Sequence, residues 1–123
     1  MIFVTVGTNE ARFDRLLRAV DGLDVDEEIV VQNGASGVRP ARASCVDFLP
    51  FDEMVAHVDR CRVVVTHAGV GSILLALSRG RRPVVVPRLK RHGEAVDDHQ
   101  VPLTRRLAAQ GLVTAVEDLD GGL

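Results

Sequence analysis

His67 closes the apolar run Val63-Val64-Val65-Thr66, and Ala68-Gly69-Val70-Gly71-Ser72 follows it directly. A donor side chain, two glycines and a helical pattern starting at Ser72 are chemistry for binding an anion. The glycines let the backbone come close to a ligand, while free N–H groups and the positive helix end face a phosphate. His67 offers a further hydrogen bond at the strand end. The turn matches neither the dinucleotide pattern G-x-G-x-x-G nor the phosphate loop that ends in G-K-[ST]. Plain tight-turn geometry would account for its glycines equally well. A second polar stretch holds His92, Glu94, Asp97 and His99. These are metal-ligand types, but a single loop without a rigid element does not aim four ligands at one point, so no metal is expected. Adjacent Asp97 and Asp98 at a helix start point in different directions, which predicts one N-cap and one ligand.

These groups need strands and helices to position them. Ile2 to Val6 reads as a strand and Gly7-Thr8-Asn9-Glu10 as its loop. Phe13, Leu16, Leu17 and Val20 then recur at helical spacing. Glu28 to Gln32 is a second strand, broken by Asn33-Gly34-Ala35-Ser36-Gly37, and Ala43 to Phe48 a short third. Pro50 precedes a helix through Met54, Val55 and Val58 that ends near Arg60. After the Val63–Thr66 strand and its helix, Pro83-Val84-Val85-Val86 gives a fifth strand closed by Pro87. A polar loop from Arg88 to Asp98 leads into a helix with Val101, Leu103, Leu107 and Ala108, and Val113 to Val116 adds an edge strand. Regular alternation predicts an α/β fold, a Rossmann-like parallel sheet with helices on both faces. Ligands of such sheets bind beyond the carboxyl ends of the strands. Each polar cluster lies at such an end: Gly7-Thr8-Asn9, Gln32-Asn33-Gly34, His67 to Ser72, and Arg88 to Gln100.

Composition narrows the function. The 123 residues predict one domain, 1–123. A net charge of −2, with 3% aromatic residues and no Trp or Tyr, argues against nucleic acid as a partner. Cys45 and Cys61 lack C-x-x-C spacing and read as reduced thiols in the core of a cytosolic protein. Met1-Ile2-Phe3-Val4-Thr5-Val6 is too short and too uncharged for a signal peptide or membrane span. His57, in the second helix, reads as a surface or partner-facing residue. Arg79, Arg81, Arg82, Lys90 and Arg91 form a basic run, either a solvated face or a contact for anionic headgroups or a partner.

Taken in order, several blocks resemble one family. They are Val4-Thr5-Val6-Gly7-Thr8, Val31-Gln32-Asn33-Gly34, His67-Ala68-Gly69-Val70-Gly71-Ser72-Ile73, Gly80-Arg81-Arg82-Pro83-Val84-Val85-Val86-Pro87-Arg88, His92-Gly93-Glu94 and Asp97-Asp98-His99-Gln100. The chain is similar to the donor-binding half of GT-B glycosyltransferases, in the branch sharing the C-terminal domain of the peptidoglycan UDP-N-acetylglucosamine transferase. It most resembles the small catalytic subunits of two-chain transferases. Some make bacterial exopolysaccharide, which Pro87-Arg88-Leu89-Lys90-Arg91-His92-Gly93-Glu94 favours, and one eukaryotic kind extends dolichol-linked oligosaccharide.

The resemblance implies one half of a GT-B fold and inverting transfer of a sugar from a UDP-sugar to a lipid-linked acceptor, in exopolysaccharide or capsule synthesis. His67 and the Gly69–Ser72 turn would hold the diphosphate, with Arg88 neutralising phosphate charge and stabilising the leaving group. Asp98 and Gln100 would bind sugar hydroxyls. Gly7, Thr8 and Asn9 would line the cleft, with Gln32, Asn33 and Glu94 further contacts. His92 and Glu94 are candidates for the general base. Relatives carry a Glu that binds the ribose diol where this chain has Leu75, which implies a ribose held by other groups. No cofactor is implied beyond the UDP-sugar donor. The missing acceptor half implies a membrane-anchored, Rossmann-like partner subunit, which would hold this chain peripherally at the inner face of the membrane. The other reading is a non-catalytic nucleotide-sugar-binding or assembly subunit. Relatives continue into a further helix past Gly121-Gly122-Leu123.

Overall fold

A computed structural model describes residues 1–7, 12–95 and 97–119. Among the described residues six strands and four α-helices follow one another as β1 (Ile2–Thr5), α1 (Asp14–Asp21), β2 (Ile29–Gln32), β3 (Ser44–Val46), α2 (Phe51–Arg60), β4 (Val63–His67), α3 (Val70–Ser78), β5 (Val84–Val86), α4 (Gln100–Ala109) and β6 (Thr114–Ala115). A single 3-10 turn at Lys90–His92 stands between β5 and α4. All pairings are parallel, in the order β3-β2-β1-β4-β5-β6. This is the doubly wound arrangement, and the strand order reverses between β1 and β4.

Side chains alternate across the sheet with period two, which sorts the core into two layers. Ile2 and Val4 of β1 and Ile29 and Val31 of β2 pack under Leu16, Leu17 and Val20 of α1. Phe3, Val30 and Val64 face the other way, onto Val58 of α2 and Ala76 of α3. Val85 meets Ile73 and Leu107 there, bringing in α4. Helices on both faces explain why β1, β2 and β4 are apolar runs rather than alternating ones.

Several local expectations shift. The third strand is only three residues long, and Phe48 beyond it is exposed. The helix after the glycine turn starts at Val70 with Gly69 as its N-cap, two residues before Ser72. Neither Asp97 nor Asp98 caps α4. His99 is its N-cap residue, Asp97 accepts from the His99 N–H at 3.0 Å, and Asp98 accepts from the Lys90 N–H at 2.9 Å. His57 is half-buried, stacked on the Phe3 ring at 5.2 Å, because α2 presses this face onto the sheet. Cys61 is buried and Cys45 half-buried, both unpaired, and burial raises each thiol above its ordinary range. The basic run is divided, since Arg79 pairs with Asp59 at 2.6 Å and Arg81 donates to the Asp59 carbonyl.

Candidate functional site

The crevice between β1 and β4 opens where Gly7 leaves one strand and His67 ends the other. A pocket of about 470 Å³ lies there. Gly7, Gln32 and His67 form its floor from three strand ends, Gly69, Gly71 and Ser72 one wall, and Phe51, Met54 and Leu75 the apolar remainder. The first backbone bond into α3 is Ile73 N–H to Gly69 O, at 3.1 Å. The N–H groups of Val70, Gly71 and Ser72 precede it, and no side chain caps this helix end. Two of these donors, on Gly71 and Ser72, and the positive helix end therefore border the pocket.

His67 is held tightly beside them. Its ring is 7% exposed, and Nδ1 lies 3.3 Å from Nε of Arg88, which donates to it. Burial, and secondarily the neighbouring guanidinium, push the imidazole down to about 4. It is thus neutral near pH 7. Gly7 and Gly69 cover its Nε2 edge so closely that a Cβ at either would lie 2.3 or 2.5 Å from that atom. Gly7 also has φ +74°, where only glycine is comfortable. The floor is ordered by a short relay in which Gly7 N–H donates to Thr5 Oγ1 at 3.0 Å and the Thr5 hydroxyl donates to Gln32 Oε1 at 3.1 Å. This turns the Gln32 amide so that its Nε2, in a side chain with no exposure, has no partner among the described residues. A buried amide donor without an acceptor is costly, and this one belongs to a side chain that lines the pocket.

Other anticipated residues are brought near without facing the pocket. Arg88 is fully buried behind His67. Its guanidinium donates to the carbonyls of Val6 (2.8 Å), Arg12 (3.2 Å) and Glu94 (3.2 Å) and stacks 4.9 Å from the Phe13 ring. Direct contact with a phosphate is not what this placement offers. Glu94, 3% exposed, is enclosed by Arg15, whose Nε and Nη2 each donate at 3.0 Å, and by the Leu89 N–H. A carboxylate so engaged is not poised as a general base. Gln100 Oε1 accepts from the Arg88 N–H at 2.9 Å. Asn33 is buried at the end of β2, its amide near Ser36 O and Asp47, and does not line the pocket. His92 is exposed on the far side of the β5–α4 loop, over Arg12, Arg15 and Arg18. Thr8 and Asn9 lie outside the described residues. Among the described residues no three His, Cys, Asp or Glu gather around a point where a metal would sit.

Four contributors went unnoticed in the sequence. Phe51 and Met54 read as ordinary helix positions, yet Phe51 is 69% exposed at the pocket mouth. Thr5 looks like one more β-branched strand residue, and only its pairing opposite Gln32 gives the hydroxyl a task. Arg15 carries no motif signal, since its partner lies 79 residues further along the chain.

A doubly wound sheet with a helix N-terminus at its switch point, reached by a strand-end histidine, is the architecture of one half of a GT-B glycosyltransferase. The glycosyltransferase family 28 C-terminal domain matches residues 1–120, and the chain belongs to that family. It is 30% identical over 123 residues to the human UDP-N-acetylglucosamine transferase subunit ALG13, covering 89% of this chain and 10% of that protein. A 56-residue stretch is 38% identical to the subunit of the same name from Yarrowia lipolytica, covering 46% of this chain and 26% of that one. The chain thus spans between 10% and 26% of the length of these curated relatives. Among solved structures, the glycosyltransferase SnogD from Streptomyces nogalater aligns with TM-score 0.64 and 26% identity, over 94% of this chain and 31% of that one. The glycotransferase of kitacinnamycin gives TM-score 0.66 at 19% identity, over 94% and 30%, a likeness of fold.

Proposed function

We propose that this chain is the donor-binding subunit of a UDP-sugar-dependent glycosyltransferase that passes a sugar to a lipid-linked acceptor with inversion. One observation carries the reading. The free N–H groups of Gly71 and Ser72 in α3, His67 and the unpartnered Gln32 amide belong to one pocket whose described residues include no carboxylate. Such a set suits a diphosphate. In the reaction an acceptor oxygen bonds to the anomeric carbon as the bond to the phosphate oxygen breaks, and UDP leaves with the electron pair. Fixed donors aimed at that oxygen stabilise the charge that develops on it. The apolar side of the pocket, at Phe51 and Met54, suits a flat base, and Leu75 makes a polar grip on the ribose from this helix position impossible. Asp98 and Gln100, at the start of α4, are assigned to the sugar hydroxyls.

An acceptor hydroxyl also has to lose its proton, and Glu94 is engaged elsewhere. We assign the base and the acceptor site to a second, membrane-anchored Rossmann-like subunit, which would place the pair at the inner face of the membrane. The printed word "subunit" in the names of both relatives supports a partner. No described helix is long and apolar enough to cross a membrane. Exopolysaccharide or capsule synthesis is the context we favour. Calorimetry with UDP in excess EDTA tests the core of the reading. Binding is expected without metal, and loss of binding on adding EDTA would overturn a metal-free site. Gln100→Ala should weaken a UDP-sugar by about 0.5–1.5 kcal/mol while sparing UDP, as for one lost hydrogen bond to a neutral hydroxyl. Equal losses for both ligands would remove Gln100 from the sugar site.

A further inference from the structure

We propose that Arg88 is a positioning residue for His67, its buried guanidinium fixing the imidazole as the tautomer that carries its proton on Nε2, at the nucleotide pocket. A guanidinium can donate but never accept, so the ring nitrogen facing it must present a lone pair. That nitrogen is Nδ1, 3.3 Å from Arg88 Nε. The proton is thereby left on Nε2, the edge lying against Gly7 and Gly69, two residues that line the pocket.

The guanidinium can do this because it is itself immobilised. Among the described residues it also donates to the carbonyls of Val6, Arg12 and Glu94, which belong to the end of β1, the approach to α1 and the β5–α4 loop. The Phe13 ring closes one face at 4.9 Å. Arg88 is therefore tied to the segment that carries Gly7 and to the strand end that carries His67. Among the described residues, the groups facing the ring are Arg88 from beyond β5, Gly7 from beyond β1 and Gly69 from the turn before α3. Of these only Arg88 is charged, and its charge opposes protonation of the imidazole. A lysine would place a compact charge in the same space without the planar fork that reaches several carbonyls at once.

The consequence for function rests on the nucleotide reading above, whereas the tautomer does not, and the experiment separates them. Nitrogen-detected NMR of the full chain, with ¹⁵N-labelled histidine, reports tautomer and titration of each imidazole. The His67 signal is assigned by its loss in His67→Gln. The wild type should show an Nε2–H ring that resists protonation down to about pH 5. In Arg88→Met the ring should populate both tautomers and titrate at higher pH, and Arg88→Lys should not restore the single form. UDP affinity measured on the same samples should fall about tenfold in Arg88→Met. An Nδ1–H tautomer in the wild type would overturn the inference even if no variant folds, as would an unchanged tautomer and titration in a folded Arg88→Met. A scrambled tautomer with UDP affinity intact would uphold the positioning and overturn the role of His67 in nucleotide binding.

Discussion

Gly7 and Gly69 are committed to a side chain before any ligand arrives. Both flank Nε2 of His67 at distances no Cβ tolerates. Gly69→Ala must move the ring or the turn, and such crowding typically costs about 1–3 kcal/mol, read as a lower urea midpoint at unchanged slope. Gly71 is different. A Cβ there meets nothing within 4 Å, so Gly71→Val should fold like the wild type while its branched side chain screens the helix-end N–H groups. UDP affinity should drop roughly tenfold or more, about 1.4 kcal/mol. Wild-type affinity in that variant would remove the turn from the site. His67 adds a pH signature. Held at about 4 against an ordinary 6.5, it stays neutral in the folded chain while the unfolded chain takes up a proton. Its contribution is complete above pH 6.5 and is lost as pH falls towards 4, with a slope of at most about 1.4 kcal/mol per unit. Denaturant titrations between pH 7 and 5 should show this slope in the wild type and not in His67→Gln. The sequence made His67 and the glycines visible, because a strand end followed by G-x-G is a local pattern. It could not show that the glycines serve the imidazole, since Gly7 and His67 meet only through the pairing of β1 with β4.

The elements around the site are joined by polar contacts rather than by sequence neighbours. Arg15 on α1 and Glu94 in the β5–α4 loop form a bidentate pair, and Arg15 also donates to Pro87 O at 3.1 Å. Glu94 in turn holds the Leu89 N–H, and Asp98 the Lys90 N–H, so the loop is closed on itself as well as onto α1. Removing one partner of a buried pair strands the other. Arg15→Met should therefore cost about 3–5 kcal/mol, whereas Arg15→Met with Glu94→Gln should recover part of it. A double mutant no more stable than Arg15→Met would show that the carboxylate is not the stranded group. Strand and helix positions were largely legible from apolar periodicity, and the parallel sense of the sheet from their alternation, but not its strand order. The loop was not. Asp97, Asp98, Glu94 and His92 look alike in sequence as polar residues of one stretch, and only packing distinguishes a buried, paired Glu94 from an exposed His92.

At the scale of the molecule, the proposed donor site, a pocket without a described carboxylate, predicts dependence on another chain. A transfer assay with UDP-sugars and a lipid-linked acceptor should give little turnover with this chain alone and full turnover with its partner. Full turnover by the isolated chain would refute the two-subunit reading. Mutating His67 in the assembled pair then separates the two roles, because an assembly subunit would tolerate the change and a catalytic one would not. The strand order carries one more consequence. β1 precedes the other described strands, yet one of its edges remains open until β4 arrives, with Ile2 opposite Val63 and Thr5 opposite Thr66. Contacts so distant along the chain close late and slowly. Gly7 and His67 meet in that same event, so a nascent chain has no pocket until its central seam is shut. On the proposed reading, a nucleotide bound there would act as a clasp on the finished sheet, retarding unfolding while leaving the early course of folding unassisted.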